Sequence, residues 1–333
     1  MTGLVTRPTT DQSGVAVVLE RVDAAARAGH ASTGTVLPTG FSPLDDRLGG
    51  GLRGGALTLL GGPQGLGKTI LALQIARNIV ADGGSATFVS YEHDAEQLLE
   101  RLLAMEAAVA FDADAPTLDE VRRAMSAQGR PAPLADRLGP GGPEAVEALR
   151  SYGDRLRLVR ASGARTGIAE LRELIRRDDA DPSLVVVDYL QKVNAAHVPG
   201  GEDERVTHVV ESLKDLALDT GCPVLAVVAA DKAGLAGART RLHHLRGSTA
   251  LAYEADVALL LNHKFDIVAR HHLVYGSTGT ERYHDWVVCS IEKNRSGVAD
   301  VDLEFEKDFA RARFHPRGRV VSEVLADARL GHE

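Results

Sequence analysis

Eight spaced residues between a strand-like run and a helical run carry the clearest chemistry in this chain. The stretch from Gly62 to Thr69 has the form G-x-x-x-x-G-K-T, and the apolar run Ala56–Leu60 precedes it. A helical pattern over Ile70–Val80 follows, which completes the strand–loop–helix context of a phosphate-binding loop. Glycines allow a tight turn whose backbone N–H groups, with the N-terminus of the helix, can hold phosphate. The sequence therefore predicts a nucleoside triphosphate site.

Two side chains of this loop are expected to act directly on ATP and its metal. Lys68 would reach the terminal phosphates, and the Thr69 hydroxyl would ligate Mg²⁺. A glycine-rich turn that binds no ligand is the alternative, but eight correctly spaced positions in the right context argue against it. The predicted ATP-binding residues of the loop are Gly62, Pro63, Gln64, Gly65, Leu66, Gly67, Lys68 and Thr69.

Two carboxylates follow strand-like runs elsewhere in the chain. Glu92 follows the run Ala86–Tyr91, and Asp188 closes the β-branched run Leu184–Val187. Ligands of a parallel sheet bind at the carboxyl ends of its strands, so both acids are expected near the phosphate loop. Glu92 is then a candidate to orient or deprotonate the attacking water, and Asp188 a candidate to hold Mg²⁺ with Thr69. For each acid, a carboxylate that only solvates a turn is the alternative.

The composition is that of a soluble globular protein with a sizeable core. The chain has 333 residues, of which 44% are hydrophobic and 25% charged, so it could hold one large domain or two ordinary ones. A formal net charge of −8 means that any nucleic-acid contact must come from a local basic patch. Cys222 and Cys289 lie in apolar runs and are expected to be buried thiols. Without a membrane span or secretion signal, a cytoplasmic location is expected.

Strands and helices alternate through most of the chain, and strands follow one another directly near its end. This order predicts an α/β fold with a mostly parallel central sheet, flanking helices and antiparallel C-terminal strands. We predict a tail and helix at 1–34, an ATPase domain at 35–317 and a helical or loose tail at 318–333. Within the ATPase domain, residues 109–153 are predicted to be a surface excursion of low sequence constraint, with helical fragments at Leu118–Ala127 and Pro143–Ser151. Residues 264–284 are expected to form a polar loop. The first helix could pack on its own domain or dock as an arm on a neighbouring subunit.

Seven segments together resemble the successive motifs of one family. They are PTGFSPLDDRLGGGL, GGPQGLGKT, VSYEHDAEQLLERL, LVVVDYLQ, SLKDLA, LRGSTALAYEAD and IEKNRSG. In order and approximate spacing they resemble the RecA-like P-loop ATPase domain of DnaB-type replicative helicases, over roughly residues 36–315. The DYLQ tetrapeptide is the most specific element. KaiC-like and RadA-like ATPases share the glycine-rich entry and the phosphate loop, so a non-helicase ring ATPase that switches protein assembly or a partner is the alternative.

The resemblance implies a role for each matching residue. Glu92 stands where the family has its catalytic glutamate, Asp188 is the Walker B acid, and Gln191 closes the DYLQ motif at the nucleotide site. Lys293 and Arg295 match a lysine and the arginine finger, both of which act on ATP held by the neighbouring subunit. On its own, a Lys-x-Arg sequence is more typical of a solvated basic turn. The family therefore implies a homo-oligomer, usually a hexamer, that hydrolyses ATP with Mg²⁺ and acts on single-stranded DNA.

Three departures from the family pattern bear on unwinding rather than on ATP hydrolysis. About 35 residues precede the motifs, too few to form the family's helical N-terminal domain. Val228 and Ala229 stand where the family has a Ser-Gln pair that senses the γ-phosphate. The segment Arg246-Gly247-Ser248-Thr249 lacks the acid of the family's R-E-S-G region.

A basic stretch is the candidate for contact with single-stranded DNA. A ring would multiply each positive charge, so a few basic residues in each subunit could hold the phosphates. The stretch lacks the aromatic residues of a stacking platform, and a solvated surface loop is the alternative. The candidate DNA-contacting residues are Lys232, Arg239, Arg241 and Arg246.

Overall fold

The computed structural model describes residues 14–29, 35–126, 131–176, 184–247, 249–268 and 280–326. The chain divides into two compact units, Met1–Thr35 and Val36–Glu333. In the first unit, helix α1 (Val15–Arg27) has no buried residue, and the side chains of Val15, Val17 and Leu19 are exposed. Both roles predicted for this helix therefore stay open.

A ten-stranded sheet is the centre of the second unit. A separate antiparallel pair, β1 (Val36–Leu37) and β2 (Leu52–Arg53), precedes it. The strands of the main sheet are β3 (Leu57–Gly61), β4 (Ala86–Ser90), β5 (Leu156–Arg160), β6 (Leu184–Asp188), β7 (Val224–Val227), β8 (Val257–His263), β9 (Trp286–Asn294), β10 (Val301–Asp308), β11 (Arg313–Phe314) and β12 (Arg319–Val320). They lie in the order β11-β10-β9-β8-β3-β7-β6-β4-β5, with β12 also paired to β10.

Six neighbouring strands of the sheet, β5, β4, β6, β7, β3 and β8, run parallel to one another. Strands β9 to β12 are antiparallel additions. This arrangement confirms the predicted fold class. The parallel strands are almost continuously apolar, as expected when helices cover both faces of a sheet. The register pairs Leu60 with Val227, and pairs Asp188 with both Val227 and Ser90. The ends of β3, β4, β6 and β7 therefore lie together at one edge, called the carboxyl edge below.

Helices cover both faces of the sheet. In the second unit they are α2 (Leu44–Arg47), α3 (Lys68–Ala81), α4 (Ala95–Phe111), α5 (Leu118–Ser126), α6 (Leu134–Arg137), α7 (Gly142–Tyr152), α8 (Ile168–Arg176), α9 (Glu202–Thr220), α10 (Lys232–Ala236), α11 (Ala250–Glu254) and α12 (Lys264–Ile267). Successive side chains of a strand point to opposite faces. Leu60 of β3 accordingly joins one core with Ile75 of α3, and Leu59 joins the other core with Val210 of α9. Among the described residues, no helix is long and apolar enough to cross a membrane.

The excursion at 109–153 is more ordered than its composition indicates. Helices α5, α6 and α7 pack on α4 around a small core that includes Val121 and Leu138. The nearly buried Glu106 of α4 accepts hydrogen bonds from Arg77 of α3 and from Tyr152 of α7. This buried polar contact ties the excursion to the nucleotide-site helix. Helices α5 and α7 match the predicted helical fragments, whereas the core that the excursion shares with α4 was not predicted.

The chain end differs from the prediction as well. Arg319–Val320 form strand β12 against β10, so the expected helical or loose tail is wrong there. Lys264 was expected in a polar loop, but its side chain is fully buried and its ammonium contacts Glu304 and Glu323. A two-residue strand is too short to give a periodic signal, and its partner β10 is needed to define it. Residues 269–279 of the predicted loop and 327–333 of the predicted tail lie outside the described residues.

Candidate nucleotide site

The loop between β3 and α3 is a tight turn that only glycine can form at two positions. Gly62 has φ +139°, and a Cβ there would lie 2.5 Å from the backbone oxygen of Leu261. Gly67 has φ +77°, and a Cβ there would lie 2.5 Å from the ring of Phe309. Both angles are ones that side chains other than hydrogen rarely permit. The glycine spacing is thus required by close packing on β8 and on the segment after β10.

Lys68 is the first residue of α3 and folds back over the loop. Its Nζ donates to the backbone oxygens of Gly62 at 2.8 Å and Pro63 at 2.7 Å. Burial lowers the pKa of Lys68 to about 8, against the opposing influence of Asp188 and Glu92. A half-buried ammonium at a helix N-terminus is well placed to receive an anion.

Asp188, at the end of β6, is fully buried beside the loop. Its Oδ2 accepts a hydrogen bond of 3.0 Å from the Thr69 hydroxyl. Its Oδ1 is buried and has no hydrogen-bond partner in the part of the chain that the structure describes. Burial raises the pKa of Asp188 to about 6. An unsatisfied buried carboxylate oxygen is costly, and a carboxylate next to a hydroxyl fits Mg²⁺, which takes oxygen ligands and completes its shell with water and phosphate.

Glu92 lies two residues beyond the end of β4, at the same edge. Its Oε1 accepts hydrogen bonds from the Tyr189 hydroxyl at 2.6 Å and from Lys192 Nζ at 2.7 Å. Burial acts to raise the pKa of Glu92, but the Lys192 and Tyr189 donors outweigh it and hold the pKa below its usual value. Glu92 is therefore ionised near neutral pH, as a general base must be.

Lys68, Thr69 and Glu92 line one open cleft of roughly 430 Å³, which is large enough for a nucleotide. Asp188 lies behind Thr69. Several residues of the cleft wall were not among those predicted from the sequence. These are Ile70, His93, Arg101, Tyr189, Val227 and Phe309. Most of them lie in or beside segments with a recognised motif, so the motifs could have pointed to them, whereas Phe309 enters only through the fold of the C-terminal strands.

The remaining residues predicted to bind nucleotide have different surroundings. Gln64, Gly65 and Gly67 line the cleft, while Leu66 is buried in the core. Gln191 does not line the cleft. Its Nε2 donates to the backbone oxygen of Arg246 at 2.9 Å, and its Oε1 accepts from the Ala229 N–H at 3.2 Å. Gln191 thus joins the segment after β6 to the segment after β7.

Lys293 and Arg295 lie at the opposite edge of the sheet. Register on β8 places Gly61 opposite Leu260, and Asn294 opposite Val257. At about 3.3 Å per residue, three residues separate these levels by roughly 10 Å along the strands. Lys293 Nζ donates to the backbone oxygens of Ala252 and Tyr253, and Arg295 contacts Asp256 and the same Tyr253 oxygen. Neither side chain is directed at the phosphate loop of its own chain.

The basic stretch divides into buried and exposed residues. Arg239 is only 5% exposed, and its guanidinium contacts Asp302 and Ser290. This placement argues against the predicted DNA contact by Arg239, because a phosphate could not reach the side chain without breaking the buried pair. Arg241 pairs with Glu292 at 3.2 Å. Arg246 pairs with Glu202 at 2.7 Å on the surface, and Lys232 is exposed.

Comparison with known proteins agrees with this geometry. The AAA domain family matches residues 25–234. The chain is 33% identical over 255 residues to the replicative DNA helicase DnaB of Rhodothermus marinus, which covers 72% of this chain and 24% of that protein. It is 28% identical over 225 residues to the DNA repair protein RadA of Mycolicibacterium smegmatis, which covers 67% of this chain and 36% of that protein. The chain thus spans well under half the length of either relative.

The fold has a close counterpart among solved structures. The ATPase domain of G40P superposes with a TM-score of 0.69, covering 91% of this chain and 99% of that one at 18% identity. The RecA-like fold is therefore confirmed, and so is the resemblance to DnaB-type helicases that the motif series indicates.

Proposed function

We propose that this chain, which belongs to the AAA domain family, is an ATP-hydrolysing, DnaB-like motor that acts on single-stranded DNA as a ring of identical subunits. The single observation that carries this proposal is the split between the two edges of the sheet. One edge holds Lys68, Asp188 and Glu92 around an open cleft, and the other holds Lys293 and Arg295.

ATP would bind with its phosphates on the loop. Lys68 would exchange its two backbone acceptors for the β- and γ-phosphates, and the freed loop oxygens would turn to solvent. Mg²⁺, held by Thr69 and the unpaired Oδ1 of Asp188, supplies charge neutralisation at the phosphates when it is bound.

Glu92 would act on the water that attacks the γ-phosphorus. The new P–O bond forms as the bond to the bridging oxygen breaks, ADP leaves with that electron pair, and the water proton passes to the Glu92 carboxylate. Arg295 of a neighbouring subunit would approach the γ-phosphate from outside, because its own loop is out of reach. Hydrolysis therefore requires assembly, and a hexameric ring is the assembly that we propose.

Contact with DNA would come from the exposed part of the basic stretch. Lys232 and Arg246 are surface side chains, and Arg241 is half-buried beside Glu292. Arg246 would have to leave Glu202 to reach a phosphate, which costs little because an exposed pair is weak.

The test is to assay ATP hydrolysis, oligomer size and DNA retention together. We expect ATP and Mg²⁺ to promote a ring, and single-stranded DNA to stimulate its hydrolysis. Hydrolysis that is absent in every oligomeric state would overturn the proposed function. If hydrolysis proceeds equally with and without DNA, and no DNA is retained at low salt, then DNA is not part of the protein's function.

A second candidate function is a RadA-like or KaiC-like ring ATPase that switches protein assembly or a partner. Two observations favour it. Val228 and Ala229, at the end of β7, carry no group that can sense a γ-phosphate, and two of the four basic residues are held in ion pairs at least partly inside the protein. This function predicts nucleotide-dependent oligomerisation with DNA-independent hydrolysis, so the same assay distinguishes the two.

A further inference from the structure

We propose that Lys192 is a positioning residue for ATP hydrolysis, which fixes one oxygen of Glu92 so that the other oxygen can receive the proton of the attacking water. The inference rests on the proposed ATPase function of the cleft. Lys192 does not line the cleft, so it would act through Glu92 and not on the nucleotide.

Two donors converge on a single oxygen of the Glu92 carboxylate. Lys192 Nζ lies 2.7 Å from Oε1, and the Tyr189 hydroxyl lies 2.6 Å from the same atom. Within the described ranges of the chain, Oε2 has no hydrogen-bond partner. The carboxylate is therefore held by one oxygen and left open at the other, which is the arrangement that a base acting on water requires.

Both donors are themselves held in place. They belong to one short turn after β6, in which the Lys192 N–H donates to the Tyr189 oxygen at 3.0 Å and Leu190 is fully buried. The Lys192 ammonium also lies 5.1 Å from the centre of the Tyr189 ring, within the range of a cation–π contact. Because Asp188 starts this same turn, the acid proposed to bind the metal and the two donors to Glu92 lie within five consecutive residues, Asp188 to Lys192.

The exposure of the pair separates a catalytic effect from a structural one. The side chain of Lys192 is 42% exposed and that of Glu92 is 30% exposed. Ion pairs as accessible as this contribute little to stability. A large loss of rate on removing Lys192 would therefore report on the orientation of Glu92 and not on the stability of the fold.

Lys192 is distinct from the other charged groups around Glu92, because none of the others donates a hydrogen bond to the carboxylate. Lys68, His93 and Asp188 interact with the Glu92 carboxylate only through space. Arg101 interacts with His93, the residue that follows Glu92 in the chain.

The experiment compares Lys192→Met and Lys192→Arg with the wild type and with Arg172→Met. Arg172 is a matched control, since it is 40% exposed and forms a 2.6 Å pair with Asp219 on a different surface. We expect Lys192→Met to lower kcat about tenfold, with an unchanged Kd for a fluorescent ATP analogue and an unchanged melting temperature. Lys192→Arg, which keeps a donor, should recover most of the rate, and Arg172→Met should match the wild type.

A double-mutant cycle with Glu92→Gln tests whether Lys192 acts through Glu92. In the Glu92→Gln background, Lys192→Met should lower the residual rate of labelled phosphate release by less than twofold. A wild-type or raised kcat in Lys192→Met, or an equal loss in both backgrounds, would overturn the inference while leaving the ATPase intact. If the wild type itself does not hydrolyse ATP, it is the proposed function that fails. If Glu92→Gln leaves the rate unchanged, Glu92 is not the base, and the inference about Lys192 fails while the ATPase stands.

Discussion

The two edges of the central sheet satisfy their charged groups to very different extents. At the carboxyl edge, Asp188 keeps a buried oxygen without a partner in the described chain, while Lys68 donates to two backbone oxygens of its own loop. At the opposite edge, Arg295 and Lys293 contact nearby backbone oxygens, and Arg295 also pairs with the Asp256 carboxylate. Asp256 also accepts hydrogen bonds from the Leu57 N–H and from Lys214.

The difference shows which edge is built for a ligand. Unsatisfied buried groups destabilise a fold, so their presence at the carboxyl edge indicates that a ligand completes them. Among the described residues of the opposite edge, Lys293, Arg295 and Asp256 all have protein partners, and the exposed arginine, 50% accessible, can leave its partners at little cost. Under the proposed function, each chain would hold one half of a hydrolysis site at each edge, and two chains would be needed to join them.

The largest predicted effect is at Arg295. Arg295→Ala should lower kcat by about 10³–10⁵-fold, the range for an arginine that stabilises the transition state from a neighbouring subunit. Affinity for ATP and melting temperature should change little, because the side chain lies at the far edge from the loop. Turnover is measured by phosphate release and affinity by a fluorescent ATP analogue. A parallel loss of affinity and stability would mean that Arg295 only supports the Asp256 cluster.

The second-largest effect on kcat is expected at Glu92, which lies at the carboxyl edge of the sheet. Glu92→Gln removes the base but keeps its size, so kcat should fall about 10²–10⁴-fold. ATP and Mg²⁺ should still bind and should still promote assembly, because Lys68, Thr69 and Asp188 are untouched. Retained hydrolysis in this variant, with normal folding by circular dichroism, would assign the base to another group.

The basic stretch contains both an arginine that is buried in an ion pair and an arginine that is exposed. Arg239→Ala should destabilise the fold by about 3 kcal/mol, because it leaves the Asp302 carboxylate without its buried partner. Arg246→Ala should change stability by less than ~1 kcal/mol and should reduce the salt dependence of single-stranded DNA binding by about one charge. Urea denaturation and binding titrations at several salt concentrations measure the two. Loss of DNA binding in a fully stable Arg239→Ala variant would restore Arg239 as a contact.

The smallest effect is a proton linked to ATP binding at Lys68. Because the pKa of Lys68 is about 8 before ATP binds, the lysine is largely neutral above that pH. Phosphates favour the charged form and raise the pKa, so binding near pH 9 should take up about one proton. Affinity should accordingly fall as pH rises above 8. Calorimetry in buffers of different ionisation enthalpy measures the uptake, and Lys68→Met should abolish it.

The sequence predicted the carboxyl edge more completely than the rest of the molecule. Lys68 and Thr69 are predicted from the motif of the phosphate loop, and Glu92 and Asp188 from their places at the ends of strand-like runs, which a parallel sheet brings together. Gln191 was assigned to the nucleotide from its motif, but its side chain bonds with the backbone at Ala229 and Arg246. Spacing along a chain does not reveal which way a side chain turns.

The sequence also does not reveal which residues far apart in the chain contact each other in the fold. Phe309 lines the cleft and packs on Gly67 only because the C-terminal strands extend the sheet beyond β8 and bring the segment after β10 to the phosphate loop. Arg239 looked like a surface cation, yet Asp302, which neutralises it, is 63 residues away in the chain. The Ala- and Pro-rich excursion gave a weak signal, because its helices acquire an apolar core only by packing on α4.

Mixing two inactive variants tests most directly whether two subunits share one site. Lys68→Ala chains keep an intact Arg295, and Arg295→Ala chains keep an intact phosphate loop. If the site forms between neighbours, mixing equal amounts before assembly should restore about a quarter of the sites, because half of the loops are intact and half of their neighbours supply the arginine. Hydrolysis should reappear in that mixture and in neither variant alone. A mixture as inactive as its components, in rings shown to contain both chains, would contradict a site shared between subunits.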